Sequence, residues 1–381
     1  MVYEVGCLKA IDDFLANYSV LDFDIYVGVS AGAYLAACMA NRIKPDQMYR
    51  DIVERSNKPR SFSRAPIFQL NTSEFASKVT QTPRICYDAV KTIWTNRQSW
   101  TLADIFFSLG ELIPSGIMDN TGTGEYLKGL FTEEGRTNSF DELGKELYIV
   151  ATNLDKGDAT VFGEDGFRDV PISTAVRASG ALPGVWKPVR IGDRDYIDGA
   201  INKTAHISQA IKHGADLVVC VNPIVPIFND PRHSVLKALN GHGGYISQKG
   251  LPYVLDQAFR IVLHSRMKYG IERYEHEFPE VEIILIEPPR DDLKMFLYNI
   301  LRYSVRVGIA EHGFKTARRM FLEHFDEYAG VFGRHGIRLA QDLAEYEYRR
   351  MLGGEPDHHS ETGLSLRRNL EKLDMRLRHL G

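Results

Sequence analysis

The chain has 381 residues, of which 44% are hydrophobic and 25% charged, and a formal net charge of −4 at pH 7. That length can bury a sizeable core in one large α/β domain or two smaller ones, and so small a net charge gives no reason to expect nucleic acid as a partner. Cys7, Cys38, Cys86 and Cys220 are scattered, with no C-x-x-C pair and no histidine cluster at metal-ligand spacing, so neither a disulfide framework nor a zinc site is indicated and a reducing, cytoplasmic compartment fits.

Met1 to Asn17 reads as an amphipathic helix with Val2, Val5, Leu8, Ile11, Phe14 and Leu15 on one side. Ile25, Tyr26 and Val27 then form a short run of buried-strand character, and Ala31 to Ala40 is an alanine-rich helix. This longest uncharged run, Ile25 to Ala40, is shorter than the ~20 apolar residues that span a bilayer, and no basic-then-apolar leader precedes it. Between strand and helix falls Gly28-Val29-Ser30-Ala31-Gly32, the G-x-S-x-G pattern of a nucleophile elbow. In that pattern the serine sits on a strained turn at a helix N-terminus, and the glycines let strand and helix approach closely. The plainer alternative is a small-residue turn that only packs a helix on a sheet. The strand before and the helix after are the context a nucleophile needs.

Pro45 to Ser56 reads as a surface helix. Residues 58–123 read as a mostly helical insertion, whose aromatics Phe62, Phe68, Phe75, Tyr87, Trp94, Trp100, Phe106 and Phe107 are expected to pack in the core rather than form a lipid-contact lid. Glu146 to Thr152 is a buried strand with Thr160-Val161-Phe162 beside it, and Ser173 to Ser179 is a short helix with Ser173 at its N-cap. Extended segments follow at Val185 to Val189 and Arg194 to Ile197. Asp198-Gly199-Ala200 ends the second of them, and by itself an Asp-Gly pair is a turn signal. It leads, however, into a helix at Ala205 to His213 and a strand at Asp216 to Val221.

Past Pro223, Val281 to Ile286 is a further strand, and helices are expected from Leu293 to Tyr328 with a mixed basic surface. Residues 353–364 have linker composition, and His358-His359 within them lack other metal ligands. Leu366, Leu370, Leu373, Leu377 and Leu380 make a two-heptad seam, suited to self-association or to docking on the chain's own domain.

With these blocks in order, the chain resembles the patatin-like phospholipases. The family's serine motif matches Gly28 to Gly32, and its D-G-A/G motif matches Asp198-Gly199-Ala200. Arg177 to Val189 is similar to the family's segment ahead of the aspartate, and Asn202 falls where the family often carries asparagine. The resemblance implies a three-layer α/β fold with a mainly parallel sheet, a helical insertion and a helical C-terminal extension. Its boundaries would be 1–290 for the hydrolase domain, 291–352 for the extension, 353–364 for the linker and 365–381 for a tail helix.

It also implies a Ser-Asp dyad, in which Ser30 attacks a lipid ester and Asp198 takes its proton, with no metal or organic cofactor and with phospholipid or acylglycerol as substrate, in solution or at a membrane surface. A Ser-Asp-His triad fits less well, because His206, His213, His233, His242 and His264 lie in settings that read as surface or turn histidines. The family's glycine-rich G-G-G-x-R/K-G loop, which supplies oxyanion donors ahead of the first helix, has no match in Met1 to Gly6. The expectation is a gene start lying upstream, with a sheet lacking one strand. The alternative is a catalytically silent lipid-binding scaffold.

Overall fold

The computed structural model describes residues 1–53, 69–95, 110–203, 205–230, 244–290, 292, 305–353 and 373. Its first helix, α1 (Val2–Phe14), is not the one-sided amphipathic element its periodicity suggests. Lys9, Asp12 and Asp13 are buried along with Val5, Cys7, Ala10, Ile11 and Phe14. The charges are matched locally: Lys9 Nζ donates to Asp13 at 2.8 Å and lies 3.7 Å from Asp46, while Asp12 Oδ1 accepts from the Ser19 hydroxyl at 2.7 Å. A polar face whose groups all find partners can be covered like an apolar one.

The chain continues through β1 (Ile25–Val29), α2 (Ala31–Ala40), α3 (Pro45–Val53), β2 (Gln69–Leu70), α4 (Thr72–Thr95), β3 (Gly116–Asp119) and α5 (Thr121–Phe131). After β4 (Glu146–Asn153) and β5 (Ala159–Phe162) come α6 (Ile172–Ser179), β6 (Gly184–Trp186), β7 (Val189–Ile191) and β8 (Arg194–Asp198). A 3₁₀ turn at Gly199–Ile201 leads to α7 (Ile207–Lys212), β9 (Leu217–Val221), α8 (Leu251–Glu277) and β10 (Glu282–Ile286). Helices α9 (Arg306–Glu323), α10 (Phe325–Arg334) and α11 (Gln341–Gly353) follow.

The fold is α/β, and β4 is its axis. β1 pairs parallel with β4 from Ile25↔Glu146 to Val29↔Val150, and β8 pairs antiparallel from Asp198↔Ala151 to Tyr196↔Asn153. β5 overlaps both registers, pairing from Ile149↔Phe162 to Thr152↔Ala159, and so occupies the opposite edge. Strands β1 and β8 therefore lie end to end on one edge of β4, running toward each other. Their C-terminal ends meet at Val150 and Ala151.

Strand direction is mixed rather than mainly parallel. Beside the parallel pairs β1–β4, β3–β6 and β9–β10 stand the antiparallel pairs β2–β3, β4–β5, β4–β8 and β7–β8. The connections explain part of this. Gly192 and Asp193 alone join β7 to β8, and residues 154–158 join β4 to β5, both too short for the crossover a parallel pair requires.

Along β4, Leu147, Ile149 and Ala151 face a large core shared with α1, α2 and α6, whereas Tyr148 and Val150 join Val161, Ile25, Val27 and Val29 on the other face. This alternation makes the strand the middle layer of three. The C-terminal helices belong to the same large core, where Phe14 and Phe321 have ring centroids 5.1 Å apart. α1 and α9 approach through glycines. A Cβ on Gly6 would lie 2.0 Å from the Ala310 carbonyl oxygen, and one on Gly313 would lie 2.1 Å from that of Tyr3. Because those neighbours are backbone, Gly6→Ala is expected to cost ~3 kcal/mol, read as a lower denaturant midpoint at unchanged slope.

Two local expectations are corrected. α6 starts at Ile172, so Ser173 lies inside the helix, and it is Asn138 that caps it, accepting from the Ser173 N–H at 2.8 Å and donating to its hydroxyl at 3.0 Å. Phe75, Tyr87 and Trp94 on α4 are 42%, 67% and 69% exposed rather than core. Phe62, Phe68, Trp100, Phe106 and Phe107 lie outside the described residues, as do most of the expected linker and tail helix.

Candidate active site

Ser30 stands between β1 and α2 with φ 53° and ψ −122°, a conformation rarely adopted by any residue with a side chain. Holding it there costs on the order of 1–3 kcal/mol and requires surroundings that leave no alternative. Gly28 is one such requirement, since a Cβ there would sit 2.4 Å from Ala33 Cα. Gly32 is not crowded in the same way, because its Cβ would meet only Glu4 Oε1, at 3.6 Å. The expectation that both glycines serve close approach holds for the first alone. Ser30's own N–H donates to the Ser179 hydroxyl at 2.8 Å, and that hydroxyl donates to the Val150 carbonyl at 2.6 Å.

Asp198 arrives at the same place from the far end of the β4 edge. It is 1% exposed, and its Oδ1 accepts from the Ala200 N–H at 2.9 Å as the N-cap of the 3₁₀ turn. Its backbone is held on both sides: the N–H donates to the Ala181 carbonyl at 3.0 Å, and the carbonyl accepts from the Thr152 hydroxyl at 3.1 Å. Gly199 then passes over β4 so closely that a Cβ would lie 2.2 Å from the Val150 oxygen and 3.2 Å from Val29 Cγ1. The glycine of the D-G-A motif thus brings the aspartate turn onto the elbow strand. Burial pushes the Asp198 carboxyl up to about 6, with the adjoining Ser30 hydroxyl and the Ala200 N–H opposing that rise.

The expected site residues Ser30, Asp198, Gly28, Gly32, Gly199 and Ala200 are therefore brought together at one point. Asn202 is not part of that point, since its amide donates to the Gly157 carbonyl at 3.0 Å on the surface. The histidines divide differently from expectation. His206 and His264 are buried and His213 is half-buried, while His233 and His242 lie outside the described residues. His206 has φ 44° and sits with Nε2 3.4 Å from the Gly199 carbonyl oxygen, and burial pushes its pKa down to about 4. It is a neutral structural imidazole behind the aspartate turn. His213 stacks on Tyr148 at 4.0 Å, and His264 reaches Glu287. Sequence reasoning placed Ser179 in the segment that resembles the family's but not its bond to Ser30, 149 positions away, and read His206 as a surface or turn histidine where the structure buries it against Gly199.

Ser30, Ala31 and Gly32 also line a cavity of about 860 Å³, walled on one side by β1 and on the other by β9, with Glu4 and Leu8 of α1 at its margin. Strand β1 pairs with β4 only and β9 with β10 only, so the two edges face each other unpaired among the described residues. Among those residues, no cluster of three or more His, Cys, Asp or Glu side chains could hold a metal ion, and no helix is long and apolar enough to cross a membrane.

A three-layer α/β protein with a strained serine elbow facing a buried aspartate is what the fold and the site define together. The family model for the patatin-like phospholipase matches residues 1–211, and the chain belongs to that family. Among solved structures it is similar to the crystal structure of VipD from Legionella pneumophila, at 16% identity and a TM-score of 0.36, over 85% of this chain and 65% of that one. The chain thus spans about two thirds of the length of that structure.

Proposed function

We propose that this chain hydrolyses carboxylic esters of lipids, phospholipid or acylglycerol, through an acyl-serine intermediate. The observation that carries the reading is Ser30 in its strained turn against a buried carboxyl whose proton affinity is raised to about 6. A carboxylate so desolvated is a far better proton acceptor than one in water, and it stays ionised at neutral pH. Asp198 takes the Ser30 hydroxyl proton as the oxygen attacks the ester carbonyl. The alcohol leaves with that proton, and water then cleaves the acyl-serine by the same route in reverse. With the Ser30 N–H engaged by Ser179 and the Ala33 N–H by the Ser30 carbonyl, the developing oxyanion falls to the N–H groups of Ala31 and Gly32 at the start of α2. Membership of the family supports the substrate class. Exposed apolar side chains on α4 (Phe75, Val79, Tyr87, Val90, Trp94) support contact with a lipid surface during turnover.

The test is a substrate panel with a pH profile. Free fatty acid should be released from phospholipid or acylglycerol dispersions, and a fluorophosphonate should label Ser30. Only ionised Asp198 can accept the proton, so kcat/KM is expected to rise about tenfold per pH unit below about 6 and to level off above it. A profile flat from pH 4.5 to 8 would remove Asp198 from the role of base.

A further inference from the structure

The nucleophile and the base come from segments 168 positions apart, yet one short stretch touches the backbone of both. At the end of α6, Ser179 is fully buried. A serine at the end of a helix ordinarily bonds to the carbonyls of its own last turn. Here its hydroxyl reaches two other elements instead, accepting from the Ser30 N–H and donating to the Val150 carbonyl. Two residues on, the buried Ala181 offers its carbonyl to the Asp198 N–H at 3.0 Å.

Resting on the reading of Ser30 and Asp198 as the reacting pair, we propose that Ser179-Gly180-Ala181 is a clamp that sets their geometry, with Ser179 as a positioning residue for the nucleophile. The chemistry of the hydroxyl makes it suited to this. It has one proton to give, which is committed to Val150, and with the O–H so directed one of its two lone pairs is turned toward the Ser30 N–H. The Val150 carbonyl is also the oxygen over which Gly199 passes, so elbow, clamp and aspartate turn share one reference point on β4. Without the Ser179 oxygen, the Ser30 N–H and the Val150 carbonyl both lose a partner, and the strained turn loses the bond that opposes its relaxation. Ser30 Oγ would then drift from Asp198, and a displacement near 1 Å at a reacting atom can cost ~10²-fold.

The experiment compares the parent with Ser179→Ala and Ser179→Thr on a short-chain nitrophenyl ester, below the melting temperature of all three. Ser179→Ala should lower kcat by about 30-fold with KM unchanged, within the range such displacements produce. It should also move the acid limb of kcat/KM to higher pH, because the Ser30 hydroxyl that helps hold the Asp198 pKa down has moved away. Ser179→Thr keeps the oxygen and should stay within about threefold of the parent in kcat, even if its extra methyl lowers the melting temperature. Should Ser179→Ala not fold, Ser179→Cys replaces it, expected to fall well below Ser179→Thr because a thiol donates and accepts weakly. Equal kcat in the oxygen-bearing and oxygen-lacking variants, or an unmoved acid limb, would overturn the clamp. Parent turnover that persists in Ser30→Ala would instead overturn the assignment of the nucleophile itself.

Discussion

Ser30→Ala is expected to reduce ester turnover by ~10⁴-fold or more, since removal of a covalent nucleophile leaves only binding and oxyanion stabilisation. The fold should survive, because one oxygen is lost at a half-buried turn and no core group is disturbed. A companion variant separates chemistry from strain. Ser30→Gly should be equally inactive yet melt at a higher temperature than the parent, because glycine adopts φ 53° without the penalty a Cβ incurs. Retention of parental turnover by either variant would mean that another residue is acylated, and mass spectrometry of the fluorophosphonate adduct would identify it.

Asp198→Asn is expected to be nearly as damaging, and the double variant no worse than either single one, since groups that act as one unit give non-additive losses. The amide keeps the size of the carboxyl and can still accept from the Ala200 N–H, but it takes no proton. The folded state should gain from the change at pH 8. The raised pKa of Asp198 means that the ionised form is disfavoured by folding, and the neutral amide removes that penalty. The expected signature is thus turnover lost while the melting temperature at pH 8 rises. Near-parental activity in Asp198→Asn, joined to collapse in His206→Gln, would restore a histidine as the base.

Much of this site was legible because its key groups announce themselves locally. Ser30 is framed by a β-branched strand, two glycines and an alanine-rich helix, and Asp198 by an apolar strand and an Asp-Gly turn. What escaped depends on distant partners. Nothing around Ser179 shows that its hydroxyl bonds to residues 149 and 29 positions away. Strand direction escaped for a related reason: β8 reaches β4 from the end opposite to β1, and periodicity specifies which face of a strand is apolar but not its sense. The burial of α1's charges was unreadable because, beside the i,i+4 pair of Lys9 with Asp13, it depends on Asp46 near Lys9 and on Ser19 and the Val20 N–H bonding Asp12, all outside the helix, and an unpartnered charge and a partnered one look alike in a sequence. The exposure of Phe75, Tyr87 and Trp94 could not be read either, since aromatic residues usually mark a core.

The space between β1 and β9 has a consequence for what can lie beside Ser30. Two of its walls are strand edges, beside side chains of α1, α2 and α7, and a strand edge presents a row of N–H and C=O groups in the plane of the sheet. Methylene groups laid along those rows would strip their hydration and return no hydrogen bond, at a cost of about 1–3 kcal/mol for each group left unsatisfied. Water, by contrast, can bridge such groups at small entropic cost. Along those two rows, water or a further extended backbone segment is therefore a better neighbour than hydrocarbon, and on the β9 side Ser30 looks onto backbone that calls for hydrogen-bonding company.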